Sequence, residues 1–231
     1  NVTDQITKTQ AEAINSYTTG HVTLTSIADT LNNLSSVNSL PDSQVMMQMA
    51  SLTVTDTTTL ANANTVNEFT TNQVTLTSIS DTFANITSID AINTSEVTMA
   101  NATVNVTDQV TKAQADAINS YTTGQVTLNS ISDISANLAT LDAIDNAEVT
   151  IGTAEVNVLD TVTLANANTI NAYTTGQVTL TSISDTFANI TSIHLLPTSE
   201  VTMADANITV TDQITKNQAD IIKGFTTGRV E

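Results

Sequence analysis

Aspartate residues recur at fixed intervals along this chain, and their carboxylates are the groups best placed to do chemistry. Their spacing alternates strictly between 25 and 27 residues. The aspartate column consists of Asp4, Asp29, Asp56, Asp81, Asp108, Asp133, Asp160, Asp185 and Asp212. Carboxylates stacked on successive turns of a repeat structure offer the oxygen ligands that Ca²⁺ prefers, so a calcium site is one interpretation.

Helix capping is the other interpretation of the aspartate column, and the sequence favours it. Each aspartate precedes a helical pattern, where a carboxylate can accept hydrogen bonds from unpaired backbone amides and stabilise the helix by about 0.5–2 kcal/mol. The Gly-Gly-x-Gly-x-Asp nonapeptide of calcium-binding repeats is absent. We therefore expect the aspartates to be N-caps and expect no cofactor, with calcium as the open alternative.

Threonine forms a second regular set of residues. One follows each valine of a recurrent Val-Thr pair: Thr23, Thr75, Thr98, Thr127, Thr150, Thr179 and Thr202. Two columns of outward threonine in register would suit an ice-binding surface, but the second column (Thr25, Thr77 and Thr181) occurs in alternate coils only. The high β-propensity of threonine on an exposed strand explains the pattern without a ligand.

Catalytic residues are scarce. The two histidines, His21 and His194, occupy different repeat positions, and the chain has no cysteine and no glycine-rich phosphate loop. A net charge of −18 repels nucleic acid and anionic membranes. No apolar run approaches the roughly 18 residues of a transmembrane helix. We expect neither an enzyme nor a nucleic-acid-binding or membrane-inserted protein.

The elements that carry these residues belong to a repeat of 52 residues. Val-Thr-Asp or its variant begins at Val2, Val54, Val106, Val158 and Val210. Such regularity predicts a stacked array in which each unit packs on its copies. We expect one continuous solenoid over residues 1–231, with units 2–53, 54–105, 106–157 and 158–209 and a partial unit 210–231, as a segment of a longer chain.

Each 52-residue unit divides into two coils of about 26 residues, which we call type A and type B. Type A contains the Val-Thr-Asp aspartates (Asp4, Asp56, Asp108, Asp160 and Asp212), and type B contains the other four. The alternating residues before each aspartate predict two short strands, with a break at Thr77-Ser78 in one type B coil. The fold class is therefore an α/β repeat solenoid of right-handed coils, each with two short parallel strands and one helix.

The helices follow the aspartates. In a type A coil, Val110, Ala113, Ala117, Ile118 and Tyr121 fall on one α-helical face. In type B, apolar residues spaced by three predict a shorter or tighter helix. Gly20, Gly124, Gly176 and Gly228 follow the type A helices, where we expect a left-handed turn, and Asn72 replaces glycine in the remaining copy.

One segment of the repeat resembles a known class of protein. Ser80-Asp81-Thr82-Phe83-Ala84-Asn85-Ile86, repeated at 184–190, is similar to the Ser-Asp-Thr-x-Ala-Asn-Ile repeats of giant bacterial surface and secreted proteins, including adhesins of marine bacteria and cyanobacteria. This resemblance implies export and display on the cell surface, and it implies no particular ligand.

Two functions follow as expectations. The first is an extracellular fibre, stalk or coat that associates with copies of itself, end to end or laterally. The second is an adhesion module that recognises glycan, mineral or ice through its outward Thr/Asn face. A binding site predicts that departures from the repeat cluster locally, whereas a scaffold predicts that they scatter. The departures, at Ile134-Ser135, His194–Pro197 and Ser39-Leu40-Pro41, fall mostly in the type B helix and the loop after it, and we expect a partner at that loop.

Overall fold

A computed structural model of the chain describes residues 1–41 and 43–231. These residues form thirteen strands and nine helices, in repeating strand–strand–helix or strand–helix coils. The predicted α/β repeat solenoid class is therefore confirmed.

Along the described residues, one or two strands precede each helix. The strands are β1 (Val2–Ile6), β2 (Val22–Asp29), β3 (Val45–Met46), β4 (Ser51–Thr58), β5 (Val74–Asp81), β6 (Val97–Thr98), β7 (Thr103–Val110), β8 (Val126–Asp133), β9 (Val149–Thr150), β10 (Glu155–Val162), β11 (Val178–Asp185), β12 (Val201–Thr202) and β13 (Asn207–Val210). The helices are α1 (Lys8–Ser16), α2 (Leu31–Asn38), α3 (Leu60–Asn67), α4 (Phe83–Asp90), α5 (Lys112–Tyr121), α6 (Ser135–Asp142), α7 (Leu164–Asn171), α8 (Phe187–His194) and α9 (Lys216–Ile222).

The chain forms two compact units. The first contains residues 1–106 and 117–126, and its parallel strands follow the order β1-β2-β4-β5-β7, with β3 on β2 and β6 on β5. The second contains residues 107–116 and 127–231, with the order β8-β10-β11-β13 and with β12 on β11. Within each unit, a coil therefore lays its strand beside that of the next coil.

The two coil types differ in their strands. A type B coil has one uninterrupted strand of eight residues, such as β5, so the predicted break at Thr77-Ser78 is wrong. A type A coil has a two-residue strand followed by an eight-residue strand, such as β6 and β7. Ser78 pairs with Thr57 on one side and with Thr103 on the other. The strand β5 therefore stays paired where its buried face changes parity, although its register with β4 shifts there.

The core lies between the strands and the helices of each unit. Val74, Leu76 and Ile79 of β5 are buried, and so are Ile86 and Ile89 of α4. This helix is α-helical over eight residues, so it is short but not a tighter form.

The predicted face of α5 is partly wrong. Ala115 and Ile118 are buried, whereas Ala113 is exposed and Val110 belongs to β7. The helix begins only at Lys112, so a face counted from Val110 starts too early.

The glycines after the type A helices do not turn left-handed, because no described glycine has a positive φ. Gly124, Gly176 and Gly228 are needed for close packing instead. A Cβ at Gly124, Gly176 or Gly228 would lie 2.2 Å from the carbonyl oxygen of Ala102, Ala154 or Ala206 in the preceding coil.

Candidate functional site

In type B coils, each aspartate is the last residue of its strand and accepts three hydrogen bonds. Asp81 Oδ2 accepts from the backbone N–H of Leu60 at 2.9 Å. Its Oδ1 accepts from the N–H of Thr82 at 2.9 Å and from Asn85 Nδ2 at 2.8 Å. Leu60 is the first residue of α3, in the preceding coil. One carboxylate therefore holds its own helix start and the neighbouring one.

The same arrangement recurs in the other three type B coils. Asp29, Asp133 and Asp185 each accept from the first amide of the preceding helix, from the next residue in the chain and from an asparagine four residues on, at 2.7 to 2.9 Å.

In type A coils, the aspartates bond to the preceding helix as well. Asp56, Asp160 and Asp212 accept from the first amide of α2, α6 and α8 at 2.9, 2.7 and 2.8 Å. The register of β4 shifts between Val54 and Thr57, and β10 shifts at the equivalent position. Such a bulge adds a residue to one strand and re-aims a side chain, here at the position of the aspartate.

The N-cap prediction is wrong in its residue. Wherever the structure shows a side-chain cap, the cap of the helix in the same coil is threonine, whose hydroxyl accepts from the amide three residues on. These caps are Thr7, Thr30, Thr59, Thr82, Thr111, Thr163, Thr186 and Thr215. The first backbone N–H of that helix donates to a different residue, the aspartate of the following coil. Where both are present, as at α2 and α3, the two residue types together satisfy two donors of one helix start.

Hydrogen bonding keeps the type B aspartates ionised. Burial raises the pKa of Asp81, but the hydrogen bonds from Leu60, Asn85 and Thr82 outweigh burial, and the pKa lies below its usual value. The balance between burial and hydrogen bonds also lowers the pKa of Asp29, Asp133 and Asp185. Negative charge at the N-terminal end of a helix is favourable.

The structure does not gather these carboxylates into a cation site. Across residues 1–41 and 43–231, no three Asp, Glu, His or Cys side chains come together as a group able to hold a metal. Asp4 lies exposed in β1, and Asp108 lies in β7. The remaining seven aspartates direct their oxygens at backbone amides, which are the donors that an ionised carboxylate binds strongly.

The predicted threonine column is broken into short stretches. Thr75 pairs with Thr98, and Thr179 pairs with Thr202, but Thr23 pairs with Met46. On its other side Thr75 faces Thr53 of β4.

The second threonine column serves the backbone. The hydroxyls of Thr25, Thr77 and Thr181 donate to the carbonyl oxygens of Val2, Val54 and Val158 at 2.9, 2.8 and 2.6 Å. These carbonyls lie where β1, β4 and β10 shift register. The hydroxyls thus serve the backbone at the bulges, which explains their occurrence in alternate coils only.

A cleft of about 530 Å³ lies in the first compact unit, beside the loop after α2. Its lining includes Asn38, Gln48, Glu68, Phe69 and Thr70. The departures at Ser39–Pro41 indicated this loop, but the sequence reasoning missed Glu68 and did not connect Gln48 with it. The available signal was that both residues depart from their repeat equivalents.

The two histidines lie apart in sequence and setting. His21 is exposed before β2. The ring of His194, at the end of α8, stacks on Phe225 with the centroids 3.8 Å apart and the planes 13° from parallel. Neither histidine has a nucleophile as a hydrogen-bond partner among the described contacts.

Comparison of the chain with known protein families, curated proteins and solved structures finds no match. Within the described residues, none of the helices combines the length and the apolar character needed to span a bilayer.

Proposed function

We propose that this chain is a structural segment of an extracellular repeat protein that serves as a fibre, stalk or coat on a bacterial surface. The observation that supports this most strongly is the aspartate bond between coils. The first amide of a helix is satisfied by the carboxylate of the following coil, at separations of 21 residues (Lys8 to Asp29) and 25 residues (Leu31 to Asp56).

This bonding makes the coil a unit of extension. An isolated coil would leave its first helical amide and both edges of its strand unpaired, and a neighbour satisfies both. Stability in such arrays comes from intrinsic terms and from nearest-neighbour terms. Length can therefore grow by adding coils without altering any existing contact, as a surface fibre requires.

The turns after the type A helices add a second bond between coils. The hydroxyls of Thr70, Thr122 and Thr174 each donate to an alanine carbonyl of the preceding coil at 2.6 Å. These threonines are buried, so water does not compete for the bond. The proposal of a non-catalytic role rests on the observation that these polar groups form hydrogen bonds between one coil and the next.

Self-association with further copies is part of the proposal, since the strands stack edge to edge. Negative-stain electron microscopy of the chain, together with sedimentation velocity, tests it. Filaments longer than one chain would support assembly through coil faces. Particles of single-chain mass at all concentrations would reject self-assembly and leave a monomeric stalk.

Surface display needs its own experiment. Brief protease treatment of intact cells of the source organism, followed by peptide mass spectrometry, should release peptides of this repeat before cytoplasmic marker peptides appear. Release only after lysis would reject the extracellular assignment.

A further inference from the structure

We propose that the cleft beside α3 binds a pyranose unit of a neutral glycan. This site goes beyond the structural role proposed above, and it does not depend on that role being correct. Four side chains carry the proposal: Asn38, Gln48, Glu68 and Phe69.

Departures from the repeat meet at this cleft. Gln48 has alanine or glycine at the equivalent positions (Ala100, Gly152 and Ala204). Glu68 has serine, alanine or glycine (Ser16, Ser120, Ala172 and Gly224). The two residues are 20 positions apart in the chain and belong to different segments, yet both line one cavity. Substitutions that merely drift in a scaffold have no reason to converge in space.

The turn that borders the cleft is also altered. Asn72 occupies the position that Gly124, Gly176 and Gly228 hold in other copies. A Cβ added at any of those glycines would lie 2.2 Å from a backbone oxygen. Its Nδ2 donates to the carbonyl oxygen of Met49. Below it, the N–H of Thr71 donates to the carbonyl oxygen of Gln48 at 2.8 Å, and this bond fixes the backbone that carries Gln48.

The chemistry of the lining selects the class of ligand. Phe69 is half-buried and offers an apolar wall. Asn38 and Gln48 have amides that both donate and accept, and the Glu68 carboxylate only accepts. A ligand rich in hydroxyl groups can both donate hydrogen bonds to these side chains and accept hydrogen bonds from them, whereas a cation can use only the acceptors. Among the described lining residues there is no lysine or arginine, so an anion lacks a cationic partner there.

The size of the cleft agrees with a sugar. A volume of about 530 Å³ falls within the roughly 300–1,000 Å³ of small-molecule sites. The cleft in the second compact unit that contains Phe225 is smaller, at about 140 Å³, and the ring of His194 covers Phe225 there. Phe225 is thus the repeat equivalent of Phe69, but its ring face is already covered by His194.

Affinity electrophoresis on native gels tests the proposal. The probes are four neutral polysaccharides (dextran, mannan, galactomannan and soluble β-glucan), with poly-lysine and heparin tested by pull-down. Because the protein has a net charge of −18 and the neutral polysaccharides carry none, retardation in the gel reports binding. We expect at least one neutral polysaccharide to retard the protein, and we expect heparin not to bind the protein in the pull-down.

The variant Gln48→Ala/Glu68→Ser introduces residues found at the same positions in other copies, so folding should be retained. Its affinity for the polysaccharide that retards the unmodified chain should be at least tenfold lower. The matched control, Gly152→Ala/Ala172→Ser, changes the equivalent positions of the second compact unit and should bind as the unmodified chain does.

Three results would overturn the proposal: no retardation by any neutral polysaccharide, unchanged binding by the double variant, or binding to poly-lysine alone. If the double variant is unfolded by circular dichroism, backbone-amide NMR shifts of the unmodified chain decide instead. Shifts centred on residues 38–40, 48 and 68–71 support the site, and shifts centred elsewhere reject it.

Discussion

An aspartate carboxylate in this chain bonds two coils together, and the stability that it contributes depends on both of its oxygens being acceptors. In Asp81, Oδ2 serves the Leu60 amide and Oδ1 serves Thr82 and Asn85. Asparagine has almost the same shape, but one of its two terminal groups is a donor. The chain uses asparagine freely elsewhere, so the aspartates are explained by this need for two acceptors.

Asp81→Asn should therefore destabilise the fold by about 1–3 kcal/mol, because its single acceptor oxygen can face either Leu60 or Thr82, and the other backbone N–H is left without an acceptor. Urea unfolding followed by circular dichroism measures the change. Asp4→Asn is the control, since Asp4 is exposed and the structure shows no helix amide bound to it. Equal losses in the two variants would contradict the role assigned to the carboxylate.

The dependence on pH follows from the direction of the pKa shift. The pKa of Asp81 is lower in the folded chain than its usual value, so the stabilisation is present above about pH 4 and is lost as the pH falls through the lower folded-state value. The stability difference between the unmodified chain and Asp81→Asn should narrow below pH 4. A difference that stays constant down to pH 2 would show that ionisation of Asp81 contributes nothing.

Among the elements, α6 shows what a missing cap does. Its N-cap position holds Ile134, which makes no side-chain cap bond and is 41% exposed. The next residue, Ser135, donates through its Oγ to Asp160 Oδ2 at 2.7 Å, in addition to the backbone bond. In α6 the hydroxyl therefore lies one residue later than the capping threonine of the other helices. It adds a hydrogen bond between coils, but it does not cap the helix.

Ile134→Thr should restore the cap and stabilise the chain by about 0.5–2 kcal/mol. Thr186→Ile is the reciprocal change at the start of α8, where Thr186 accepts from the Asn189 amide, and it should destabilise by a similar amount. Thermal unfolding at neutral pH compares the two. If both variants shift the melting temperature in the same direction, capping does not explain the difference.

The turns after the type A helices give a second test at this scale. Gly176→Ala places a Cβ against the Ala154 carbonyl and should cost about 1–3 kcal/mol, since the backbone must move to admit it. Gly20→Ala is the matched control, because the nearest atom to its added Cβ is Thr18 Oγ1 at 3.6 Å. Unfolding free energies from urea titration should separate the two variants. Similar values would mean that coil contact is not what requires glycine.

The sequence predicts these elements better than their contacts. Periodicity locates the coils and their two types, because a repeated core must repeat its apolar residues. It does not reveal that Asp29 bonds to Lys8, since that depends on which helix start lies level with the end of β2. Thr82 and Asp81 are adjacent and both are good N-cap residues, so propensity could not separate their roles. Glycine likewise serves both a left-handed turn and a close approach, and only the backbone distinguishes them.

At the scale of the whole molecule, the question is whether a cation holds the coils together. The net charge is −18, so any salt should stabilise the chain by screening repulsion. Because the aspartate oxygens bind amides, Ca²⁺ should raise the melting temperature no more than Mg²⁺ at equal ionic strength, and chelator should leave it unchanged. A rise specific to Ca²⁺ would restore the calcium interpretation of the aspartate column.

The bond from each aspartate to the preceding helix also has a consequence for the order of events on the ribosome. The first amide of α1 cannot find its carboxylate until Asp29 has been made, 21 residues after Lys8. At roughly 5–20 residues per second, each helix start waits about 1–5 s for its acceptor. The nascent chain should therefore settle one coil behind synthesis, with the newest coil always incomplete and each completed one protected by its successor.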